Sequence, residues 1–290
     1  LLEKTRDPVA RMATAAALLG RDGWKVTVLE KNDSIGGRAR LWSEKGYQFD
    51  MGPSWYLMPE VFERFFTLFG KRREEYYALR ALDPYYRVFF GPGSPVDIGP
   101  DRGRVEALFE SFEPGGAERL RKYLDQARYK YDVAMKEFLY KEYGSIFDFL
   151  NLRMLVEGSR LNVFGRLDRS VRRYFRDRRA RQILEYAMVF LGTDPSQAPA
   201  LYSIMSHVDL NLGVHYPSGG LQAVGTAMSR LAAEQGVEIL LNQDVRKIVV
   251  ENGTARKVLT HQAEYGGEVV LVNADYAFAE TRLLDSPYRS

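Results

Sequence analysis

An alanine-rich stretch that passes through a glycine turn into an alternating β-branched segment ending on an acid constrains this chain more than any other feature. Ala13, Ala15, Ala16, Ala17, Leu18 and Leu19 suit a helix packed closely on a sheet over residues 8–20, with Pro8 at its start. Gly20 and Gly23 stop it, and residues 24–30, Trp-Lys-Val-Thr-Val-Leu-Glu, read as a strand entering a sheet. The same order returns late in the chain. Gly219-Gly220 opens a helix reaching Gln235, Gly236 ends it, and residues 237–241 and 245–251 alternate as strands, with Asn252-Gly253 as a hairpin turn before residues 256–260. Residues 268–272 form an almost continuous apolar run of the kind found in a strand covered on both faces, followed at once by Asn273-Ala274-Asp275.

Between these α/β segments the pattern is helical. Leu120, Leu124, Ala127, Tyr131, Ala134 and Phe138 recur at three-to-four-residue spacing in one long amphipathic helix. Further helices are expected at residues 59–69, 146–156, 169–176, 180–191 and 199–210, and short strands at 46–53, 86–90 and 96–98. The fold class is therefore α/β, a Rossmann-like domain interrupted by a helix-rich insertion. The expected divisions are residues 1–80, 81–215 and 216–290.

Composition removes several chemistries. The chain has no cysteine, which excludes disulfides, iron–sulfur clusters and thiolate zinc sites. Its three histidines have no metal-ligand spacing, so a metal centre is not expected. A net charge of +3 gives no reason to expect nucleic acid. No apolar run approaches the roughly 20 residues of a membrane span, and no secretory pattern opens the chain, so a cytoplasmic location is expected.

In a dinucleotide-binding βαβ unit an acid ending the second strand accepts hydrogen bonds from ribose hydroxyls, and Glu30 stands where that acid belongs. Glu30-Lys31, then Gly36-Gly37-Arg38, then Asp50-Met51-Gly52-Pro53 together resemble the extended FAD fingerprint of phytoene desaturases, amine oxidases and protoporphyrinogen oxidases. Further on, Ala198-Pro199-Ala200-Leu201-Tyr202-Ser203, residues 207–214 and Tyr216-Pro217-Ser218-Gly219-Gly220 resemble the bacterial phytoene desaturase branch.

The resemblance implies an FAD-dependent carotenoid desaturase acting on CH–CH groups, with hydride passing from a lipid-soluble polyene such as phytoene to flavin. It implies cofactor-binding roles for Glu30, Lys31, Gly36, Gly37, Arg38, Gly52 and Pro53, for Val245 through its backbone beside adenosine, and for Asn273 and Asp275 at the end of the returning strand. It names no proton acceptor.

Family spacing puts the glycines of the diphosphate loop at Asp7, Val9 and Met12, none of which is glycine. The chain therefore reads as a fragment without the N-terminal loop or the C-terminal part of its relatives. A carotenoid isomerase, a ketolase, a retinol-saturase-like enzyme or an inactive fragment stay open beside the desaturase.

Two further features invite a role. His207 and Asp209, two residues apart on a helix, point to different faces and are expected to be structural. The basic stretch from Arg166 to Arg181 reads as a solvated helix face or, with Leu167, Val171, Tyr174 and Phe175 interleaved as an apolar stripe, as an amphipathic helix for a membrane surface.

Overall fold

The computed structural model describes residues 8–91, 93, 95–139 and 165–289. The helix expected at residues 146–156 and the loop position Asp7 lie outside them. The chain divides into two compact units: one runs up to Tyr56 and takes in Glu60–Leu79 and everything from Tyr216 onward, the other holds Leu57–Pro59 and Arg80–His215.

In the first unit, α1 (Pro8–Arg21) buries Ala13, Ala15, Ala16 and Ala17. It ends in a Schellman motif: Trp24 N–H reaches the Leu19 carbonyl, Gly23 N–H reaches that of Gly20, and Gly23 has φ +90°. That ending holds Trp24 to the helix, so the expected strand at 24–30 is cut to β1 (Thr27–Leu29).

Next come β2 (Leu41–Glu44) and β3 (Tyr47–Asp50), an antiparallel hairpin closed by Lys45 and Gly46 at φ +49° and +83°, the signature of a type I′ turn. Trp42 and Phe49 pair across it with ring centroids 5.3 Å apart. Helix α2 (Pro59–Thr67) buries Phe65 and Phe66 and stops in a second Schellman motif at Gly70.

The second unit begins within β4 (Leu79–Ala81). A small hairpin of β5 (Tyr86–Val88) and β6 (Val96–Ile98) follows, then α3 (Arg102–Phe112), capped by Asp101, and the long α4 (Gly116–Val133). Beyond them are α5 (Leu167–Arg172), α6 (Arg178–Glu185), a 3-10 stretch over Tyr186–Leu191 and α7 (Ile204–His207).

One core joins Phe109, Leu120, Leu124, Leu167, Val171, Phe175, Ile183 and Met188. The Glu113 carboxylate links its loops, accepting from the backbone N–H of Arg176 at 3.0 Å and Asp177 at 2.9 Å and from Arg119 at 2.9 Å. The single helix expected at 199–210 is instead a 3-10 turn, α7 and a π turn over Val208–Leu212. In the 3-10 turn the Ala200 carbonyl accepts from Lys130 Nζ at 3.0 Å and Ser203 Oγ at 2.8 Å, side-chain donors that compete with the amide of a regular helix.

The chain re-enters the first unit within β7 (His215–Pro217) and forms α8 (Gln222–Glu234), which ends in a third Schellman motif at Gly236 and leads to β8 (Glu238–Leu240). β8 lies parallel to β1 in the register Thr27↔Glu238, Val28↔Ile239, Leu29↔Leu240. Ala13, Ala16 and Ala17 of α1 share a core with Val224, Met228 and Leu231 of α8. Gly20 makes the approach close, since a β-carbon there would stand 2.6 Å from the Gln235 carbonyl oxygen.

An antiparallel sheet of β9 (Val245–Glu251), β10 (Thr254–Thr260) and β11 (Glu264–Gly266) follows, and a short helix, α9 (Tyr276–Phe278), begins the last described stretch. The strand expected at 268–272 does not form, and Val269, Leu271 and Val272 are exposed. A strand exists only through its neighbours, and this run pairs with no strand among the described residues. No helix among the described residues is long and apolar enough to cross a membrane.

Candidate functional site

The glycine turn after β1 and the Gly-Pro turn after β3 meet through their backbones. Gly36 and Gly37 take φ +119° and +51°, which turns the chain into a 3-10 helix over Gly37–Ala39 with Ala39 N–H bonded to the Gly36 carbonyl at 2.7 Å. Met51 N–H then bonds to the Arg40 carbonyl at 2.9 Å. A β-carbon on Gly52 would stand 2.0 Å from the carbonyl oxygen of Arg38.

The glycines at 36 and 52 thus have an internal reason as well as the cofactor-side one expected from sequence. Around buried Gly36 a β-carbon would meet Ala39 and Arg40 at 3.3 Å. The side chain of Arg38 is exposed, as are Gly52 and Pro53.

Asp50, the last residue of β3, carries this ridge to a third segment. Its Oδ2 accepts a short hydrogen bond from the Tyr216 hydroxyl, and its Oδ1 accepts from the Leu221 N–H at 2.9 Å. The Asp50 carboxylate is the first cause that pushes the Tyr216 hydroxyl up to about 12, with burial adding to it. Asp50 and Tyr216 carried the family resemblance, but their pairing across the sequence had no signal in either motif alone.

Glu30 stands at the carboxyl end of the parallel pair. Its N–H bonds to the Leu240 carbonyl at 2.9 Å and its carbonyl accepts from Gln243 N–H at 2.8 Å. The carboxylate Oε1 accepts from both nitrogens of Asn32, and Oε2 has no hydrogen-bond partner among the described residues. Lys31 beside it is exposed. An acceptor at the carboxyl end of parallel strands, with the exposed cations of Lys31 and Arg38 in the loop that follows, is the donor and acceptor set a ribose diol and a diphosphate require.

The remaining expected residues lie on other elements. Val245 opens β9, opposite Thr260, and its side chain packs against the Ile248, Ala279 and Leu283 cluster. Asn273 is half-buried. Asp275 caps α9, its Oδ1 accepting from Phe278 N–H at 3.0 Å.

In the helical unit, His207 and Asp209 belong to different networks. Asn211 Nδ2 lies 2.7 Å from His207 Nδ1, while Asp209 Oδ2 accepts from Tyr186 at 2.7 Å and Tyr86 at 3.0 Å. Asp209 is fully enclosed, and burial pushes its carboxyl up to about 7 against the lowering effect of the two tyrosines.

The basic stretch is corrected in one respect. Leu167, Val171 and Phe175 face the core rather than a surface, because they fill the space beside Phe109 and Leu120. Only arginines such as Arg169, Arg172, Arg173, Arg176 and Arg178 remain exposed.

Residues 12–287 match the family model described as flavin containing amine oxidoreductase. The chain is 41% identical over 272 residues to a carotenoid 3,4-desaturase of Haloarcula japonica, covering 93% of this chain and 55% of that protein. It is 32% identical over 237 residues to a 4,4'-diapophytoene desaturase (4,4'-diaponeurosporene-forming) of Staphylococcus aureus, covering 82% of this chain and 47% of that protein. The chain thus spans about half the length of these curated relatives.

Among solved structures, a protein from Pyrococcus furiosus superposes with a TM-score of 0.56 at 20% identity, covering 95% of this chain and 60% of that one. A putrescine oxidase gives 0.54 at 16% identity, covering 90% and 54%. These two likenesses concern the fold.

Proposed function

Because this chain belongs to the flavin-containing amine oxidoreductase family, we propose that it contributes an FAD-binding unit and a helical, substrate-facing unit to a carotenoid desaturase. The observation that carries the reading is the 41% identity to a carotenoid 3,4-desaturase across nearly the whole chain. The motif ridge of the first unit supports it with a place for the cofactor.

Bound FAD would supply the acceptor for a hydride taken from the polyene, with a proton lost from the neighbouring carbon as the new double bond forms. The chain's own residues hold and orient. Glu30 Oε2 accepts from the ribose hydroxyls, and the charges of Lys31 and Arg38 neutralise phosphate. The Gly52-Pro53 turn, fixed against the Arg38 carbonyl, gives the ring side a rigid wall. Val245 serves through its backbone. Asn273 and Asp275 hold the end of the returning chain beside the cofactor, and Asp275 also caps α9.

The second unit would face an acyclic, lipid-soluble polyene and exclude water from it. A substrate dissolved in lipid favours a protein resting on the cytoplasmic membrane surface. The exposed arginines between Arg166 and Arg181 are suited to anionic headgroups there.

The test is phytoene in lipid vesicles supplied to the full-length protein with FAD and an electron acceptor. Coloured products of longer conjugation are expected. A flavin-loaded protein that leaves a panel of acyclic carotenoid precursors colourless would sink the desaturase reading.

A further inference from the structure

We propose that Asp50 is a positioning residue that latches the Tyr216–Gly220 turn onto the Gly52-Pro53 turn, so that both hold one fixed geometry at the flavin site. The latch itself follows from the geometry, and its consequence for flavin rests on the function proposed above.

Asp50 closes β3 two residues before Gly52. Both of its carboxylate oxygens are engaged by one distant segment: the Tyr216 hydroxyl on Oδ2 and the Leu221 N–H on Oδ1 at 2.9 Å. The segment is shaped for that approach. Gly220 has φ +83°, and a β-carbon on it would stand 2.9 Å from Asp50 Oδ1 and 3.5 Å from Leu41. Leu221 is the N-cap of α8, so the carboxylate sits at the positive end of a 13-residue helix.

A double glycine before a helix commonly marks a cradle for phosphate. Here the protein's own anion occupies that end of α8. Gly220 therefore serves the Asp50 carboxylate, which takes the place at that end of α8 that a phosphate would need. Asp50 ties the end of β3, the start of α8 and, through Gly52 against the Arg38 carbonyl, the Gly36–Arg38 turn into one piece.

The experiment compares Asp50→Ala, Asp50→Asn and Tyr216→Phe in the full-length protein, reading amide hydrogen exchange across residues 216–222 without flavin and FAD affinity by flavin fluorescence. Asp50→Ala removes both bonds and should speed exchange of the Leu221 amide by about tenfold or more and weaken FAD by a similar factor. Asparagine still accepts from Leu221 and can donate to the Tyr216 hydroxyl, so Asp50→Asn should return both readouts to within about threefold of wild type. Tyr216→Phe, which loses one bond and no charge, should fall between them, and it decides the matter if the alanine variant does not fold.

Wild-type exchange in Asp50→Ala and Tyr216→Phe would overturn the latch. Faster exchange with unchanged FAD affinity would reduce Asp50 to a structural residue and overturn the positioning role. Asparagine as damaging as alanine would do the same to the hydrogen-bonded form of the proposal. A wild-type protein that takes up no FAD would refute the flavin reading and with it the positioning role, while the exchange data would still decide the latch.

Discussion

Gly52 lies so close to Arg38 that a β-carbon on the glycine would overlap the arginine's carbonyl oxygen, at 2.0 Å. The two turns expected to face the cofactor are therefore packed on each other through bare backbone. Gly52→Ala should cost roughly 1–3 kcal/mol by overpacking and weaken FAD binding along with it. Gly46→Ala is the comparison: φ is +83° there and nothing lies within 4 Å, so it should lower stability through backbone strain alone and leave FAD affinity unchanged. Urea unfolding and flavin fluorescence on both variants check this.

Glu30 offers one carboxylate oxygen beyond its bonds to Asn32. If that oxygen accepts from ribose hydroxyls, Glu30→Ala should weaken FAD by about 10–100-fold, the loss expected for hydrogen bonds to a charged group, beyond the fall in melting temperature caused by losing the Asn32 bonds. Equilibrium titration of the apoprotein with FAD measures it. An unchanged affinity would move the ribose site away from β1.

Asp209 makes the helical unit sensitive to pH. The groups that act on it or feel its charge are Tyr85 and Tyr86 beside and on β5, Tyr123 on α4 and Tyr186 just after α6. None is a cation. Burial raises its carboxyl from 3.8 to about 7, so the folded state keeps a proton that the unfolded chain releases between those values. Stability from this group is greatest below the unfolded value and is lost as pH rises through the folded one. Wild type should lose roughly 2–3 kcal/mol relative to Asp209→Asn between about pH 5 and 8 in chemical denaturation. Parallel curves for the two proteins would refute it.

Because Phe175 is buried against Phe109, the apolar residues of the basic stretch cannot be its lipid anchor. Phe175→Ala should destabilise the protein by about 3–5 kcal/mol. Replacing Arg169, Arg173, Arg176 and Arg178 by serine should leave stability within about 1 kcal/mol and cut sedimentation with anionic vesicles by about tenfold or more at low salt. Vesicle binding that survives the arginine changes would place the membrane contact elsewhere.

What the sequence disclosed and what it withheld have physical causes. Val96–Ile98 and Val245–Glu251 form strands where alternation put them, and α4 follows its apolar spacing as far as Val133, where the expected helix passes into a π stretch over Ala134–Leu139. Elements fixed by local chemistry are legible in this way. β2 is not expected from its own residues, because Leu-Trp-Ser-Glu carries little apolar alternation, and the Lys45-Gly46 turn that pairs it with β3 is the available signal. The run at 268–272 failed in the opposite sense, since its composition suits a strand but its pairing depends on partners that composition does not report.

At the candidate site, Glu30, Gly36, Gly37, Arg38, Gly52 and Pro53 could be picked out by motif. Their joining through the Arg38 carbonyl and Asp50 could not, because it depends on segments up to 171 residues apart. The tyrosines around Asp209 were invisible for the same reason, since β5 and the segment after α6 meet only in the fold.

The central claim is that a polyene reduces a flavin held by this chain. The direct measurement is anaerobic mixing of the flavin-loaded full-length protein with phytoene or another acyclic carotenoid precursor in vesicles, followed by absorbance. The account predicts that the oxidised flavin band bleaches as the polyene absorption moves to longer wavelength. Bleaching by an amine such as putrescine, with no change on adding any of the polyenes, would contradict it.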